Sequence, residues 1–421
     1  MGDSANTGNS STDWRAWWRF ALVSLIFFHL TASTFTSLGV ALPFMIEELS
    51  WSWSNAGLGF SILAFMVGIT GRLPAWTMQR FGVGATFAVG GLILAGGLSL
   101  LALATGLTQY FMGAAFAGLG SALCGIVPGV AVINQALPHR RSFAIGAYMT
   151  IGGLGGVAGP LIVTTVVAMT GSWRWHWWSV AAANIVLVVL AVLTFGVKRK
   201  ATTDPVQAQK PVAEKHTRRV HTTIREWRLK DVLRTPQYYV IVAAWTMTLF
   251  GGVTTNSWAV THMGTLGISI TIAAGALSAH AFINAFSRAF GGALATWIDP
   301  KWLLVSALAA EIVGMLALAS ADNVVTIVLF AFGEGYGFGM CMFATTILLV
   351  NYYGPKEAPK TMGTMHMFST VAMLGPVLGG VVADTFGGFS GLFRVYAVIL
   401  LACLVAVSLM KPPSLPKENN S

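Results

Sequence analysis

Charge is what this chain has least of. Only 10% of its 421 residues are Asp, Glu, Lys or Arg, while 55% are hydrophobic. A water-soluble domain needs a polar surface that such a composition cannot supply; a chain facing hydrocarbon on most sides does not. Cysteine is scarce as well. Cys124, Cys341 and Cys403 lie in apolar segments without disulfide or metal-ligand spacing, so no disulfide framework, metal or cofactor is expected. No phosphate-binding loop, nucleophile–base pair or signalling domain is visible to support a membrane enzyme or sensor. Residues 1–17 are polar, and the first apolar segment is too long and lacks a small-residue cleavage site, so no cleavable signal peptide is expected.

The apolar residues come in runs of about 20 or more, the length that crosses a bilayer as a helix. Forty-seven glycines suit close helix packing in lipid. The pattern predicts twelve helices. Six lie at about 19–46, 54–79, 85–104, 108–137, 142–170 and 175–197, and six at about 237–263, 269–298, 302–321, 324–353, 359–386 and 389–411. The one long hydrophilic stretch, 198–236, separates the two sets. The expected organisation is a tail (1–18), a six-helix bundle (19–197), a linker (198–236), a second six-helix bundle (237–411) and a tail (412–421). The fold class is therefore an all-α polytopic membrane protein with two pseudo-symmetric bundles.

The net charge of +10 follows from orientation rather than nucleic-acid binding. Arg15, Arg19, Arg80, Arg140, Arg141, the basic residues of 198–236, Lys301, Lys356, Lys360, Lys411 and Lys417 fall on one side of the predicted spans. The other side keeps little beyond Arg174 and Arg394, with Glu47, Glu48 and Asp322. The positive-inside rule makes the basic side cytoplasmic, together with both termini. The expected location is the cell (inner) membrane, multi-pass, as a monomer in lipid. In the linker, Thr222–Leu233 fits a short amphipathic helix. Ile224, Trp227, Leu229, Val232 and Leu233 are its apolar residues, and Arg225, Arg228 and Lys230 its charges. A solvated linker fits 198–221 equally well.

The halves carry a repeat. MTIGGLGGVAGP (Met149–Pro160) aligns with MHMFSTVAMLGP (Met365–Pro376), and the same offset places Arg72 on Arg288. Two related halves around a central site are the plan of a secondary transporter.

Few titratable groups remain inside the spans. Arg288 lies in the middle of one, where a guanidinium costs about 2.5–3.5 kcal/mol on insertion scales and cannot shed its proton. Asn284 and Gly292 occupy the places one turn away, so no acid of its own helix neutralises it. Two readings fit: a fork facing a wet central cavity for a substrate carboxylate, or a structural pair with Glu311 or Glu334 from another helix. His280, Asn284 and Arg288 share one helix face. His29, Ser33, Thr36 and Ser37 form a second polar stripe, Thr254, Thr255, Asn256 and Trp258 a third, and His366, Ser369, Thr370 and Met373 a fourth. Hydroxyls in lipid often serve only helix contacts. Histidine changes charge near neutral pH, so His366 suits proton coupling. Glu334, within FGEGYGFG (Phe332–Gly339), is either a proton-carrying carboxylate or the partner of a bundle arginine. Glu311 reads as structural.

Further motifs are SLGVALPFMIEELSWSWSNAGLGFSI (Ser37–Ile62), GRLPAWTMQRFG (Gly71–Gly82), PHRRSFAIGAYMTIGGLGGVAGP (Pro138–Pro160), EWRLKDVLRTPQYY (Glu226–Tyr239) and FINAFSRAFGG (Phe282–Gly292). Together they resemble the major facilitator superfamily, and within it the branch of monocarboxylate porters and oxalate:formate antiporters. The resemblance covers nearly the whole chain after residue 18. It implies a twelve-helix fold, alternating access, and a substrate-carboxylate role for Arg288. It also implies a peripheral place for the helix of Glu311. Four departures stand out. Gln79 replaces the aspartate of the family's cytoplasmic loop. Asn284 replaces the acid before the arginine in animal monocarboxylate transporters. The first helix lacks their lysine. His366 and Ser369 stand where the oxalate antiporters carry a lysine.

The expected function is secondary transport of a small organic anion, a monocarboxylate, with proton coupling. Substrate binding is assigned to Arg288, Asn284, His280, Asn256, His29, His366 and Ser369, coupling to Glu334 and His366, and gating to Arg72, Arg80 and Gln79. Arg72 also fits a second cavity cation, which would favour a dicarboxylate. A drug-type efflux carrier and a dicarboxylate or anion exchanger are the alternatives.

Overall fold

The computed structural model describes residues 10–196, 223, 227–295, 297–354 and 358–413. These residues are predominantly helical, and no strand occurs among them. Eleven helices are long and apolar enough to cross a membrane, and a bent pair makes twelve if counted as one span. The chain divides into two compact units, one of Met1–Trp51 with Leu58–Val206 and the other of Ser52–Gly57 with Gln207–Ser421.

In the first unit, span one is two helices, α1 (Ser10–Ser33) and α2 (Phe35–Leu49), joined at Thr34, where φ is −112° and ψ −102°. The joint falls in a run of hydroxyl residues. Thr34 Oγ1 donates to the Leu30 carbonyl at 2.8 Å, so side chains satisfy backbone oxygens that the break exposes. Span two is the bent pair α3 (Trp53–Ile69), whose first residues through Gly57 are assigned to the second unit, and α4 (Leu73–Phe81), with 53° between them. Gly71 and Pro74 cause the bend: proline has no N–H to continue a ladder and sits instead in the first turn of α4. Then follow α5 (Val83–Ala102), α6 (Leu107–Cys124), α7 (Ile126–Ala136), α8 (Arg141–Thr170) and α9 (Trp173–Phe195). The span predicted at 108–137 is thus broken, at Gly125, between α6 and α7.

The second unit begins with a short helix, α10 (Leu229–Val232), preceded by the buried Trp227. The predicted amphipathic segment is realised only here; Ile224 and Arg225 lie outside the described residues. Then come α11 (Pro236–Thr265), α12 (Ile270–Leu294), α13 (Pro300–Ala319) and α14 (Val324–Tyr353). Span eleven is α15 (Ala358–Phe368), a 3-10 turn (Ser369–Leu374) and α16 (Gly375–Phe386); α17 (Ser390–Leu409) closes the unit. Outward-facing side chains such as Leu193, Met169, Val324 and Val398 are more than half exposed. That is the surface a lipid-facing helix needs, since the interior of a helix pairs its own backbone polar groups.

Candidate functional site

The glycine run of α14 builds the site. Its glycines alternate between two neighbours. A Cβ at Gly335 would meet the His280 carbonyl of α12 at 2.6 Å, and one at Gly339 the Asn284 carbonyl at 2.3 Å. On the other side, Gly333 faces the Ala310 carbonyl of α13 at 2.5 Å, and Gly337 faces Glu311 Cβ at 2.7 Å. Glycine is the residue that permits such backbone approach. Glu334 stands inside this run, between α12 and α13.

The result is a buried polar cluster within the second unit. Glu334 and Glu311 are both 0% exposed and His280 is 2% exposed. His280 Nε2 lies directly against Glu334 Oε2, and neither atom has a hydrogen-bond partner among the described residues. Glu311 Oε2 accepts a hydrogen bond from Thr248 Oγ1 of α11 at 2.8 Å. Glu311 Oε1 has no hydrogen-bond partner among the described residues. Of the two buried carboxylates, Glu334 meets an imidazole and Glu311 a hydroxyl.

Arg288 lies two turns further along α12, half-buried. Its Nε donates to Asn284 Oδ1 at 3.0 Å. No carboxylate pairs with it among the described residues, so neither Glu311 nor Glu334 is its structural counter-ion. The asparagine orients the guanidinium and leaves its terminal nitrogens without a carboxylate. The stripe read from the sequence therefore splits: Asn284 serves Arg288, and His280 serves Glu334.

The other expected site residues are dispersed. Asn256 is half-buried and its Nδ2 donates to the Gly252 carbonyl at 2.8 Å. Ser369 is fully buried, sharing a hydrogen bond with Thr246 Oγ1 at 2.9 Å and donating to the Met365 carbonyl. His366 is exposed, its ring edge-on to Trp245 at 5.9 Å between centroids. In the first unit, His29 is half-buried and its Nε2 has no partner among the described residues. Arg72 is exposed at the start of α4, Gln79 is exposed on the same helix, and Arg80 lies over the rings of Trp76 and Phe81.

Sequence reasoning missed the contact of His280 with Glu334. One signal was present: alternating glycines on both sides of Glu334 mean that two other helices touch α14 there. Which side chains those helices bring is not written in the run.

An all-helical, polytopic membrane protein in two units with buried charge in its spans fits the class of secondary transporters. More narrowly, residues 22–347 and 263–421 match the Major Facilitator Superfamily, and the chain belongs to that family. Monocarboxylate transporter 4 of Gallus gallus is 24% identical over 352 residues, which are 81% of this chain and 71% of that protein. The oxalate:formate antiporter of Oxalobacter formigenes is 21% identical over 373 residues, 83% of this chain and 84% of its own. A dehydrocurvularin exporter of Aspergillus terreus is 31% identical over only 105 residues, 24% of this chain, and the match spans 18% of the exporter. Among solved structures, a bacterial homologue of the human lysosomal transporter Spinster superposes with a TM-score of 0.72 at 16% identity. That superposition covers 94% of this chain and 96% of the other.

Proposed function

We propose that this transporter moves a small organic anion, a monocarboxylate, by alternating access and in company with a proton. The observation that carries the reading is Arg288. It sits in a membrane span with no carboxylate partner among the described residues, and Asn284 holds it in place. A guanidinium in that setting binds a carboxylate through two parallel N–H groups. The similarity to monocarboxylate transporter 4 and the oxalate:formate antiporter over most of the chain supports the same cargo class. Proton coupling is assigned to the His280–Glu334 pair. His366 remains a second candidate on the exposed side of α15, with His29, Asn256 and Ser369 as further polar contacts for the cargo. Arg72, Arg80 and Gln79 are assigned to gating at the cytoplasmic end of α4.

The distribution of basic residues supports a multi-pass protein of the cell (inner) membrane with cytoplasmic termini, working as a monomer. The short match to the exporter supports a second reading, efflux of amphipathic compounds. One experiment separates them: uptake of labelled lactate into proteoliposomes with and without a pH gradient. Accumulation driven by the gradient is expected. Indifference to lactate, with competition only by uncharged amphipathic compounds, would favour efflux. Stronger inhibition by succinate than by lactate would instead make Arg72 a second cavity cation.

A further inference from the structure

A groove on the first unit lies between the start of α1 and the end of α9. Arg15, Trp18 and Arg19 line it from α1, and Leu190, Leu193 and Thr194 from α9, around an open space of about 420 Å³. Each set is spaced i, i+3, i+4 and so occupies one helix face. Trp18 Nε1 donates to Thr194 Oγ1 at 3.0 Å and joins the two faces. The hydroxyl is an acceptor in that bond and keeps its own proton to give. Other threonines of this unit return theirs to a carbonyl one turn back, Thr170 to Val166 at 2.7 Å and Thr164 to Pro160 at 3.1 Å. Thr194 makes no such bond among the described residues. Arg15 and Arg19 are exposed, and neither has an ion pair, hydrogen bond or ring contact among the described residues. By contrast, Arg174 is held by Glu48 and the Ala104 carbonyl, and Arg80 lies over Trp76 and Phe81. No carboxylate lines the groove among the described residues. Two guanidinium groups and one free hydroxyl proton, with no negative charge beside them, suit an anion that carries several oxygens.

We propose that this groove binds the phosphate of an anionic phospholipid, with Arg15 and Arg19 on the phosphate oxygens and the Thr194 hydroxyl as a third donor. The walls favour a lipid over a free phosphate ion. Leu193 is 77% exposed, and Val189 and Val186 continue an exposed apolar stripe along α9. From Leu193 to Val186 the stripe runs about 10 Å, at 1.5 Å per residue, toward the middle of the span. An acyl chain has there a track that begins where the phosphate sits; a free ion makes no use of it. Trp14 stands beside Trp18, with ring centroids 6.2 Å apart. Tryptophan prefers the headgroup level of a bilayer, which sets the two arginines at the depth of lipid phosphates. The distribution of basic residues puts this end of α1 on the cytoplasmic side, where anionic lipids make the leaflet negative and basic pockets between helices hold their headgroups. A bound headgroup reinforces the tie between α1 and α9 that Trp18 and Thr194 already make. The inference is independent of the cargo and of proton coupling.

The test is the melting temperature of the purified full-length protein in detergent micelles doped with phosphatidylglycerol, with phosphatidylcholine or with inorganic phosphate. Phosphatidylglycerol should raise it by several degrees, since a ligand of the folded state stabilises that state by mass action. Phosphatidylcholine and inorganic phosphate should leave it unchanged. Each basic residue near an anionic headgroup contributes about fivefold in affinity. The double variant Arg15→Gln, Arg19→Gln should therefore need roughly 30-fold more phosphatidylglycerol to reach half of the shift. Thr194→Val should need a few-fold more. Removal of two charges elsewhere, Lys230→Gln with Lys411→Gln, should leave the midpoint as in wild type. An unmoved midpoint in the double arginine variant overturns the proposal. So does an equal loss in the lysine variant, which makes the effect one of overall charge, and so does an equal shift with inorganic phosphate, which makes the groove an ion site without a lipid. An unmoved midpoint in Thr194→Val overturns the part given to the hydroxyl. Both arginines are exposed and unbonded, so the double variant should melt as wild type does in phosphatidylcholine. If it does not fold, Arg15→Gln and Arg19→Gln serve singly, each with a midpoint moved about fivefold, and a midpoint unmoved in both overturns the proposal.

Discussion

The two units use one packing device for different ends. In the first, Gly120 of α6 lies so close to α5 that a Cβ would stand 2.5 Å from the Leu94 nitrogen, and the interface is apolar. In the second, glycines of α14 bring α12 and α13 equally near, and the space between them holds Glu334, His280 and Glu311. The first unit keeps its ion pair, Arg174 with Glu48, at helix ends where both side chains remain partly exposed. Its buried polar groups include Asn184, which donates from Nδ2 to the Gly91 carbonyl at 2.6 Å, and His176, whose nitrogens have no partner among the described residues. The buried carboxylates among the described residues, Glu311 and Glu334, both lie in the second unit. On the proposed reading, the second unit handles the cargo charge and the first mainly packs.

The contrast can be broken most severely at Arg288. Arg288→Lys keeps the charge and removes the planar fork, so lactate uptake should fall by about 100-fold while the fold survives. Uptake within a few-fold of wild type would remove carboxylate clamping from the second unit. Next in size is Glu334→Ala, which leaves His280 buried without its acid. Loss of one member of a buried pair costs about 3–5 kcal/mol, so the melting temperature in detergent should drop by many degrees; an unchanged melting temperature would mean that the pair is not formed.

How much of this could be read from sequence differs by level. The spans were legible because each run is long and apolar, and most helix edges fell within a few residues, although α1 begins at Ser10, well before the predicted start at about 19. The breaks at Thr34 and Gly125 were not, because hydroxyl clusters and single glycines occur equally in unbroken helices. Arg288 was conspicuous, as a charge in an apolar run always is. Its freedom from Glu311 and Glu334 was not legible, since partner choice depends on which helices touch. Glu311 was read as structural from an expected peripheral position, and its burial beside Thr248 is a tertiary fact without a local signature.

Two smaller effects sharpen the comparison from the other side. Asn184→Leu should lower stability by about 1 kcal/mol, the net worth of one buried hydrogen bond, and leave the dependence of lactate uptake on pH as in wild type. A changed pH dependence would extend charge handling into the first unit. Arg174→Gln should cost less than about 1 kcal/mol, because exposed pairs contribute little. A larger drop in melting temperature would show that the Arg174 bond to the Ala104 carbonyl, at 3.1 Å, matters more than its pairing with Glu48.

The claim that binds these parts together is that Arg288 holds the carboxylate of the cargo. Its most direct measurement is counterflow of labelled lactate in proteoliposomes loaded with unlabelled lactate, wild type against Arg288→Lys, at equal protein density and without a pH gradient. Counterflow isolates binding and exchange from proton coupling. The expected result is a clear overshoot of label with wild type and none with Arg288→Lys. An overshoot of the same height with Arg288→Lys, or none with wild type while uncharged amphipathic compounds exchange freely, would contradict it.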